Sequence, residues 1–223
     1  MQPVRSNVMD RTKRPTPYKR GMQTALIKTI QQIKEEERPY GDWLHTAGPG
    51  KLFINYLIYE RAVHHDSKYM IIEYQKDLTK LLHRELERAK KNLVHHAWTM
   101  NIEVRRGELF DKTKKEINKG RRVLVVDADF CATAHTLVKT GLLEGMEMIV
   151  KLQAKNKQDF FMPLTLSMRH GGGTVNKDVK ARNIKAYDKI KTVAHKLGGH
   201  HVHEAGYGDK SQMKSAMWYF PQR

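Results

Sequence analysis

The sequence predicts an α/β sandwich whose sheet is mostly parallel and ends in a C-terminal antiparallel β-hairpin. Apolar segments of strand length alternate with amphipathic segments of helix length along most of the 223 residues. The run 123–126 is continuously apolar, which is typical of a strand covered on both faces. The last two strand-like segments, 200–205 and 215–220, are joined by a linker containing Gly-Tyr-Gly-Asp-Lys, which indicates a hairpin.

The stretch around the first predicted strand indicates where a ligand binds. A short strand from Trp43 leads into a glycine-bearing turn at 47–50, and an amphipathic run follows over 52–63. The next strand, 69–72, ends in Glu73. This order of strand, glycine turn, helix, strand and acid is expected where a fold binds an adenosine-type ligand through its ribose hydroxyls. The alternative is an ordinary strand-to-helix turn in which the glycines only allow tight packing.

The other elements follow from apolar periodicity and from turn residues. In chain order they are a helix over 22–33, a helix over 76–93, a strand over 102–104, a helix over 112–118, a helix over 136–143 that is closed by Gly145, a strand over 146–152 and a helix over 184–197. The apolar segment 160–168 fits either a core element or part of a substrate groove. Ligands of such sheets bind at the carboxyl ends of the strands.

The charge of the chain points to a polyanionic partner. A net charge of +17, from 41 Lys plus Arg against 24 Asp plus Glu, makes nucleic acid the first candidate partner and an anionic membrane surface the second. No apolar run is long enough to cross a bilayer, and the N-terminus lacks an apolar signal core. The single cysteine, Cys131, fits an intracellular, reducing compartment such as the cytoplasm.

Residues 1–20 are predicted to form a basic, flexible arm that precedes a single domain over 21–223. The arm is either an RNA-binding segment or a solubilising tail. Its candidate RNA-binding residues are Arg11, Lys13, Arg14, Lys19 and Arg20.

Three short motifs resemble those of the S-adenosylmethionine-dependent methyltransferases, a Rossmann-like superfamily. Ala47-Gly48-Pro49-Gly50 looks like the glycine turn of the RNA ribose 2′-O-methyltransferases that act on ribosomal RNA and viral mRNA caps. The segment 123–127 looks like their strand ending in a catalytic aspartate. The segment 145–151 looks like their strand ending in a lysine. The resemblance covers about residues 22 to 220 and implies the cofactor S-adenosylmethionine, an RNA substrate and, for a viral member, the host cytoplasm.

The resemblance also implies roles for individual residues. Members of this group use a Lys-Asp-Lys-Glu tetrad, which by position corresponds to Lys28, Asp127 and Lys151. The fourth member falls at Ser215 or Ala216, so Glu204 on the preceding strand is the nearest acid. The acid that usually opens the glycine motif is replaced by Leu44, with Asp42 two residues earlier. The residues implied to bind the cofactor are Ala47, Gly48, Pro49, Gly50, Glu73, Glu108 and Asp127.

Each of these roles has a structural alternative. Lys151 could only extend from a strand end to solvent, and Asp127 with Asp129 could cap the next helix. Lys28 is an ordinary helix lysine, for which Lys19 or Lys34 could substitute. Histidine clusters such as 200–203 do not supply the four ligands that zinc requires, so no metal site is predicted.

Two functions from different classes remain open. The first is an RNA methyltransferase, with a ribose 2′-hydroxyl as acceptor and a lysine as the group that removes its proton. The second is a non-catalytic RNA-binding or assembly protein on a decayed methyltransferase fold, which the incomplete tetrad favours. A methyltransferase of bases or protein side chains is a third reading.

Overall fold

The computed structural model describes residues 17–35, 38–46, 64, 66–92, 101–168, 177–207 and 213–221. The six helices of this part of the chain are α1 (Pro17–Lys34), α2 (Lys76–Asn92), α3 (Leu109–Asn118), α4 (Ala134–Lys139), α5 (Leu142–Lys155) and α6 (Lys177–Lys196). The strands are β1 (Asp42–Thr46), β2 (Tyr69–Glu73), β3 (Ile102–Arg106), β4 (Val123–Thr133), β5 (Phe160–Ser167), β6 (His200–Tyr207) and β7 (Met213–Phe220). None of these helices is long and apolar enough to span a membrane.

The seven strands form one sheet in the order β3-β2-β1-β4-β5-β7-β6. The pairings among β3, β2, β1, β4 and β5 are parallel, whereas β7 is antiparallel to both β5 and β6. The predicted α/β sandwich with a mostly parallel sheet and a C-terminal antiparallel hairpin is therefore confirmed. The strand order reverses between β1 and β4, and a crevice for ligands opens at such a switch point.

Helices cover both faces of the sheet and divide the core in two. On the first face, Ile27 and Ile30 of α1 and Leu86 of α2 pack against Trp43 and Tyr69. The second face lies under the other four helices. The buried residues that these helices contribute include Leu109, Ile117, Ala134, Leu137, Met146, Ile149, Ala186 and Ile190. A residue's position in a strand therefore decides which set of helices its side chain meets.

The strand predicted over 146–152 is wrong, because this segment lies within helix α5. The buried residues of α5 recur at helical spacing, namely Leu142, Gly145, Met146, Ile149 and Gln153. A Cβ at Gly145 would lie 2.3 Å from the ring of Phe110, so this glycine allows α3 and α5 to pack closely rather than closing a helix. The predicted helix over 136–143 is in fact two helices, separated at Gly141, whose φ is +99°.

The strand after α5 is the ambiguous segment 160–168, which forms β5. Seven of its eight strand residues are buried, which explains why its sequence shows no polar alternation. Helix α1 begins at Pro17, so residues 17–20 are helical rather than part of the predicted arm. The glycine turn 47–50, the run 52–63 and Arg11, Lys13 and Arg14 lie outside the described residues.

Asp42, at the amino end of β1, holds together the edge of the sheet opposite the carboxyl ends. It is 3% exposed. Its carboxylate accepts hydrogen bonds from the guanidinium of Arg121, with Nη2 at 2.8 Å, and from the backbone N–H of Lys68 at 2.9 Å. Asp42 is therefore a structural acid of this edge, at the end of β1 opposite Thr46.

We expect Asp42→Ala to lower the free energy of unfolding by about 3 kcal/mol, because it leaves the backbone N–H of Lys68 without its acceptor and Arg121 with only the longer ion pair to Glu116 at 3.9 Å. Urea denaturation measures this loss. The double variant Asp42→Ala/Arg121→Met should lose less than the single variant, since the guanidinium that has lost its main partner is removed with it. A loss under about 1 kcal/mol in the single variant would contradict the structural role.

Candidate functional site

The carboxyl ends of the parallel strands bring three of the predicted acids to one edge of the sheet. Glu73 is the last residue of β2, and Glu108 directly precedes α3 after the end of β3. Asp127 lies in β4 beside His45 of β1. Because β1, β2, β3 and β4 are parallel neighbours, these residues lie on the same side of the molecule as Thr46, the last residue of β1.

One oxygen of the Glu73 carboxylate accepts a hydrogen bond from the main chain, and the other accepts none from the residues that the structure describes. Its Oε1 accepts the backbone N–H of Gln75 at 2.8 Å, and its main-chain oxygen accepts the N–H of Gly107 at 3.1 Å. Oε2 makes no hydrogen bond to the residues that the structure describes. A carboxylate held in this way can accept hydrogen bonds from a ligand's hydroxyl groups.

Asp127 lies in an environment that disfavours its ionised form. Burial raises the pKa of its carboxyl from 3.8 to about 8, and the negative charge of Asp129 contributes to the shift. The buried phenol of Tyr69 also has a raised pKa, first through burial and second through the charge of Asp127. A carboxyl with a pKa near 8 exchanges its proton in the physiological range, which suits acid–base chemistry.

His45 of β1 lies beside Asp127 of β4, and its imidazole is neutral. The residue is buried, and burial lowers the pKa of its imidazole to about 4. Its Nδ1 lies 2.9 Å from the carbonyl oxygen of Thr46, and because a carbonyl only accepts, Nδ1 carries the hydrogen. The rings of His45 and Tyr69 lie 5.7 Å apart. His45 therefore gives Asp127 no cationic partner.

Polar side chains continue from Asp127 along the same face of the sheet. Register places Asp129 beside Thr165, and Thr165 beside Ser215. The hydroxyls of Thr165 and Ser215 lie 3.2 Å apart, and both residues are buried. Ser215 is one of the two positions where the resemblance to the tetrad implies a glutamate. It therefore contributes a hydroxyl, not a carboxylate, to this row of polar side chains.

The alternative that Asp127 and Asp129 cap the next helix is wrong. Strand β4 continues to Thr133, and the Thr133 hydroxyl accepts the N–H of Thr136 at the start of α4. The two aspartates lie within the strand, upstream of this cap.

The structure does not bring Lys151 to Asp127. Lys151 lies on α5, on the opposite face of the sheet, with 71% of its side chain exposed. Its ammonium forms an ion pair with Glu147 one turn earlier at 2.6 Å. The expected lysine at the end of a strand is absent because the segment that carries it is helical.

Glu204 and Lys28 also lie apart from Asp127. Glu204 is aligned through Ala216 and Leu164 with Ala128, so its side chain points to the face opposite Asp127. Its carboxylate pairs there with lysines of α6 and β7 and with His201. The distances are 3.7 Å to Lys191, 3.2 Å to Lys214 and 3.4 Å to His201. Lys28 lies on the same face as Asp127 but is exposed, whereas its neighbour Ile27 faces the sheet.

His45 and Tyr69 are the site residues that sequence reasoning missed. Both lie in strands with an apolar centre, and both share the Asp127 face of the sheet. Alternation along β1 and β2 was the signal that could have identified them. Among the described residues no three His, Cys, Asp or Glu side chains come together to hold a metal ion.

Comparison with known proteins gives similarity at the level of structure. No protein-family profile and no curated protein matches the sequence. The human methyltransferase 10 domain containing protein is 12% identical and has a TM-score of 0.51, with 89% of this chain and 82% of that chain covered. The delta-N METTL16 MTase domain is 12% identical and has a TM-score of 0.50, over 90% and 82% of the two chains. WbdD, solved with a kinase inhibitor, is 10% identical with a TM-score of 0.55, and the match covers 93% of this chain but only 41% of WbdD. These similarities show that the chain shares a Rossmann-like fold with these proteins, two of which are named as methyltransferases.

Proposed function

We propose that the chain is an S-adenosylmethionine-dependent methyltransferase that acts on RNA, with a ribose 2′-hydroxyl as the acceptor. The observation that carries this proposal is the strand order β3-β2-β1-β4-β5-β7-β6 with a reversed β7, whose carboxyl edge carries Glu73, Glu108 and Asp127. The similarity in fold to proteins named as methyltransferases supports it.

The chemistry of the donor set fits S-adenosylmethionine. The cofactor supplies an electrophilic methyl group on a sulfonium centre. Glu73, whose Oε2 makes no hydrogen bond to a described residue, would accept hydrogen bonds from the two ribose hydroxyls. Glu108 is exposed beside β3, on the side expected for the adenine, and Gly48 and Gly50 would admit the methionine part.

Asp127 replaces the lysine of the tetrad as the group that takes the proton. The Asp127 carboxylate would take the hydroxyl proton as the hydroxyl oxygen bonds to the methyl carbon and the methyl–sulfur bond breaks, which would leave the cofactor as a neutral thioether. Because burial and Asp129 raise the pKa of Asp127 to about 8, its carboxylate is a stronger base than an exposed aspartate. Thr165 and Ser215 would orient the acceptor from the same face of the sheet.

The basic charge of the chain supports RNA as the substrate. A net charge of +17 attracts a polyanion from a distance and holds it through phosphate contacts. Arg11, Lys13, Arg14, Lys19 and Arg20 would add contacts from the N-terminal segment.

Two measurements test the proposal. Isothermal titration should show one S-adenosylmethionine site per chain, and mass spectrometry of nuclease-digested RNA should show 2′-O-methylated nucleosides. Capped and uncapped RNA, compared side by side, would test whether an mRNA cap is the acceptor. Methylated bases would identify a base methyltransferase and would rule out ribose as the acceptor.

A second candidate is a non-catalytic RNA-binding protein on the same fold. The specific observation in its favour is that Lys151 and Glu204 both lie on the face opposite Asp127. It predicts RNA binding that weakens with salt and no affinity for S-adenosylmethionine. The titration above separates the two candidates.

Lys151→Ala should leave methyl transfer within about twofold of the wild type, because the side chain lies on the outside of α5. The free energy of unfolding should fall by less than about 0.5 kcal/mol, the usual size of an exposed i,i+4 ion pair. Initial rates with saturating cofactor measure the effect. A loss of tenfold or more would return Lys151 to the reaction and contradict its location on α5.

A further inference from the structure

The outer face of α6 carries a stripe of cations, with the exposed acids Asp178 one turn before it and Asp188 about 60° to one side. The stripe consists of Arg182, Lys185, Lys189 and Lys196, which follow one another at intervals of three, four and seven residues. At 100° per residue these positions fall within about 60° of the helix circumference and extend over about 21 Å. All four side chains are exposed, and none of them forms an ion pair with a residue that the structure describes.

No described residue forms an ion pair with the charges of the stripe. The opposite side of α6 supplies the packing, with Ala186, Tyr187, Ile190 and Ala194 buried. Lys191 of the same helix, by contrast, lies off the stripe and is paired with Glu204. Neighbouring cations repel one another, and no ion pair within the described part of the chain offsets this repulsion, so the row is suited to a polyanionic partner.

The stripe begins at the carboxyl edge of the sheet, on the face opposite the Asp127 side chain, and leads away from that edge. Near the start of α6, the Asn183 side chain accepts the backbone N–H of His135 at 3.2 Å. His135 belongs to α4, which directly follows β4, the strand of Asp127. The first residue of the stripe, Arg182, is therefore beside the carboxyl edge of the sheet, and Lys196 is near the opposite edge.

We infer that this stripe is a binding track for the phosphate backbone of the RNA substrate, outside the pocket in which methyl transfer would occur. The inference rests on the proposed function for the identity of the polyanion. Successive cations along one line match the successive phosphates of a strand, and each contact releases counterions. An anionic membrane fits less well, because the apolar side of α6 is buried in the core and cannot insert into lipid.

The test compares two variants with the same change in charge. The stripe variant replaces Arg182, Lys185, Lys189 and Lys196 with glutamine. The matched control replaces Lys114, Lys115, Lys155 and Lys157 with glutamine; these are exposed lysines on α3 and at the end of α5 that also lack ion pairs to described residues. Fluorescence anisotropy with labelled oligouridine, over a series of salt concentrations and without cofactor, gives the affinity and its salt dependence.

The stripe variant should bind oligouridine about tenfold or more weakly at low salt, with a log–log salt slope smaller by about 3 than that of the wild type. The control should change by less than about threefold. Equal losses of RNA affinity in the two variants would show that only the overall charge matters. Unchanged RNA binding by the stripe variant, together with lost binding to phosphatidylserine vesicles, would assign the stripe to lipid. Either result overturns the inference. Titration with S-adenosylmethionine tests the proposed function separately, since the stripe lies away from Glu73 and should not alter cofactor affinity.

Discussion

Replacing Asp127 with asparagine should lower kcat/KM for methyl transfer by about 10²- to 10⁴-fold, the usual contribution of a general base. Asparagine has nearly the same shape but cannot accept the hydroxyl proton. The dissociation constant of S-adenosylmethionine, from titration, should change little, because Glu73 rather than Asp127 is proposed to hold the ribose. Retention of activity would exclude Asp127 as the base.

The pH dependence of the reaction supplies a control through Asp129. The wild-type rate should rise with pH with a midpoint near 8, as Asp127 ionises. Asp129→Asn removes the neighbouring negative charge, so the pKa of Asp127 falls and the midpoint moves to lower pH. A midpoint that does not move in this variant would show that another group titrates.

The same shift changes stability in a predictable direction. The pKa of Asp127 is about 8 in the folded chain and near 3.8 when it is unfolded, so between these values the folded state holds one proton more. The contribution of Asp127 to stability should therefore fall as pH rises from about 4 to 8, while the lowered pKa of His45 acts in the opposite direction between about 4 and 6.5. Asp127→Asn removes this loss, and its Tm should exceed that of the wild type at pH 8 but not at pH 4. This comparison separates a folding defect from a catalytic one.

The sequence was sufficient to predict the parts of the site that depend on strand ends. Strands β1 and β2 are short apolar runs bounded by polar residues, and their ends locate Thr46 and Glu73 directly. The carboxyl ends of parallel strands share one edge, so the positions of these residues followed from strand type alone.

The position of Lys151 could not be predicted, because a short apolar run does not reveal its period. The pattern of apolar residues from Met146 to Leu152 is compatible with a strand interrupted by Glu147 and equally with a helix that has one buried side. The contact between Gly145 and Phe110 helps to settle the choice, and it joins two helices that are distant in sequence. The sequence of one segment alone cannot reveal a contact with a residue far away in the chain.

Glu204 shows a second limit, which is strand register. A shift of one residue in the pairing of β6 with β7 would turn its side chain to the other face of the sheet. Five residues of sequence separate these strands, and the sequences on both sides are partly apolar, so no local signal in the sequence fixes the alignment. The register observed, with Glu204 beside Ala216, removes it from the Asp127 face.

Glu73→Ala should weaken S-adenosylmethionine binding by about a hundredfold or more. The proposed contacts are two hydrogen bonds from ribose hydroxyls to a carboxylate, and hydrogen bonds to charged groups contribute roughly 1.5–3 kcal/mol each. Isothermal titration measures the dissociation constant directly. The fold should tolerate the change, because Glu73 is partly exposed and its Oε1 accepts only the N–H of Gln75.

Glu73→Gln provides the matched control. An amide keeps one carbonyl acceptor but loses the charge, so the expected loss lies between those of the wild type and Glu73→Ala. With 2′-deoxy-S-adenosylmethionine, which lacks one of the two hydroxyls, the difference between wild type and Glu73→Ala should shrink. If the difference stayed the same, Glu73 would not contact that hydroxyl, and the ribose would have to bind elsewhere along the carboxyl edge. If Glu73→Ala bound the normal cofactor as well as the wild type does, the proposed cofactor site itself would be wrong.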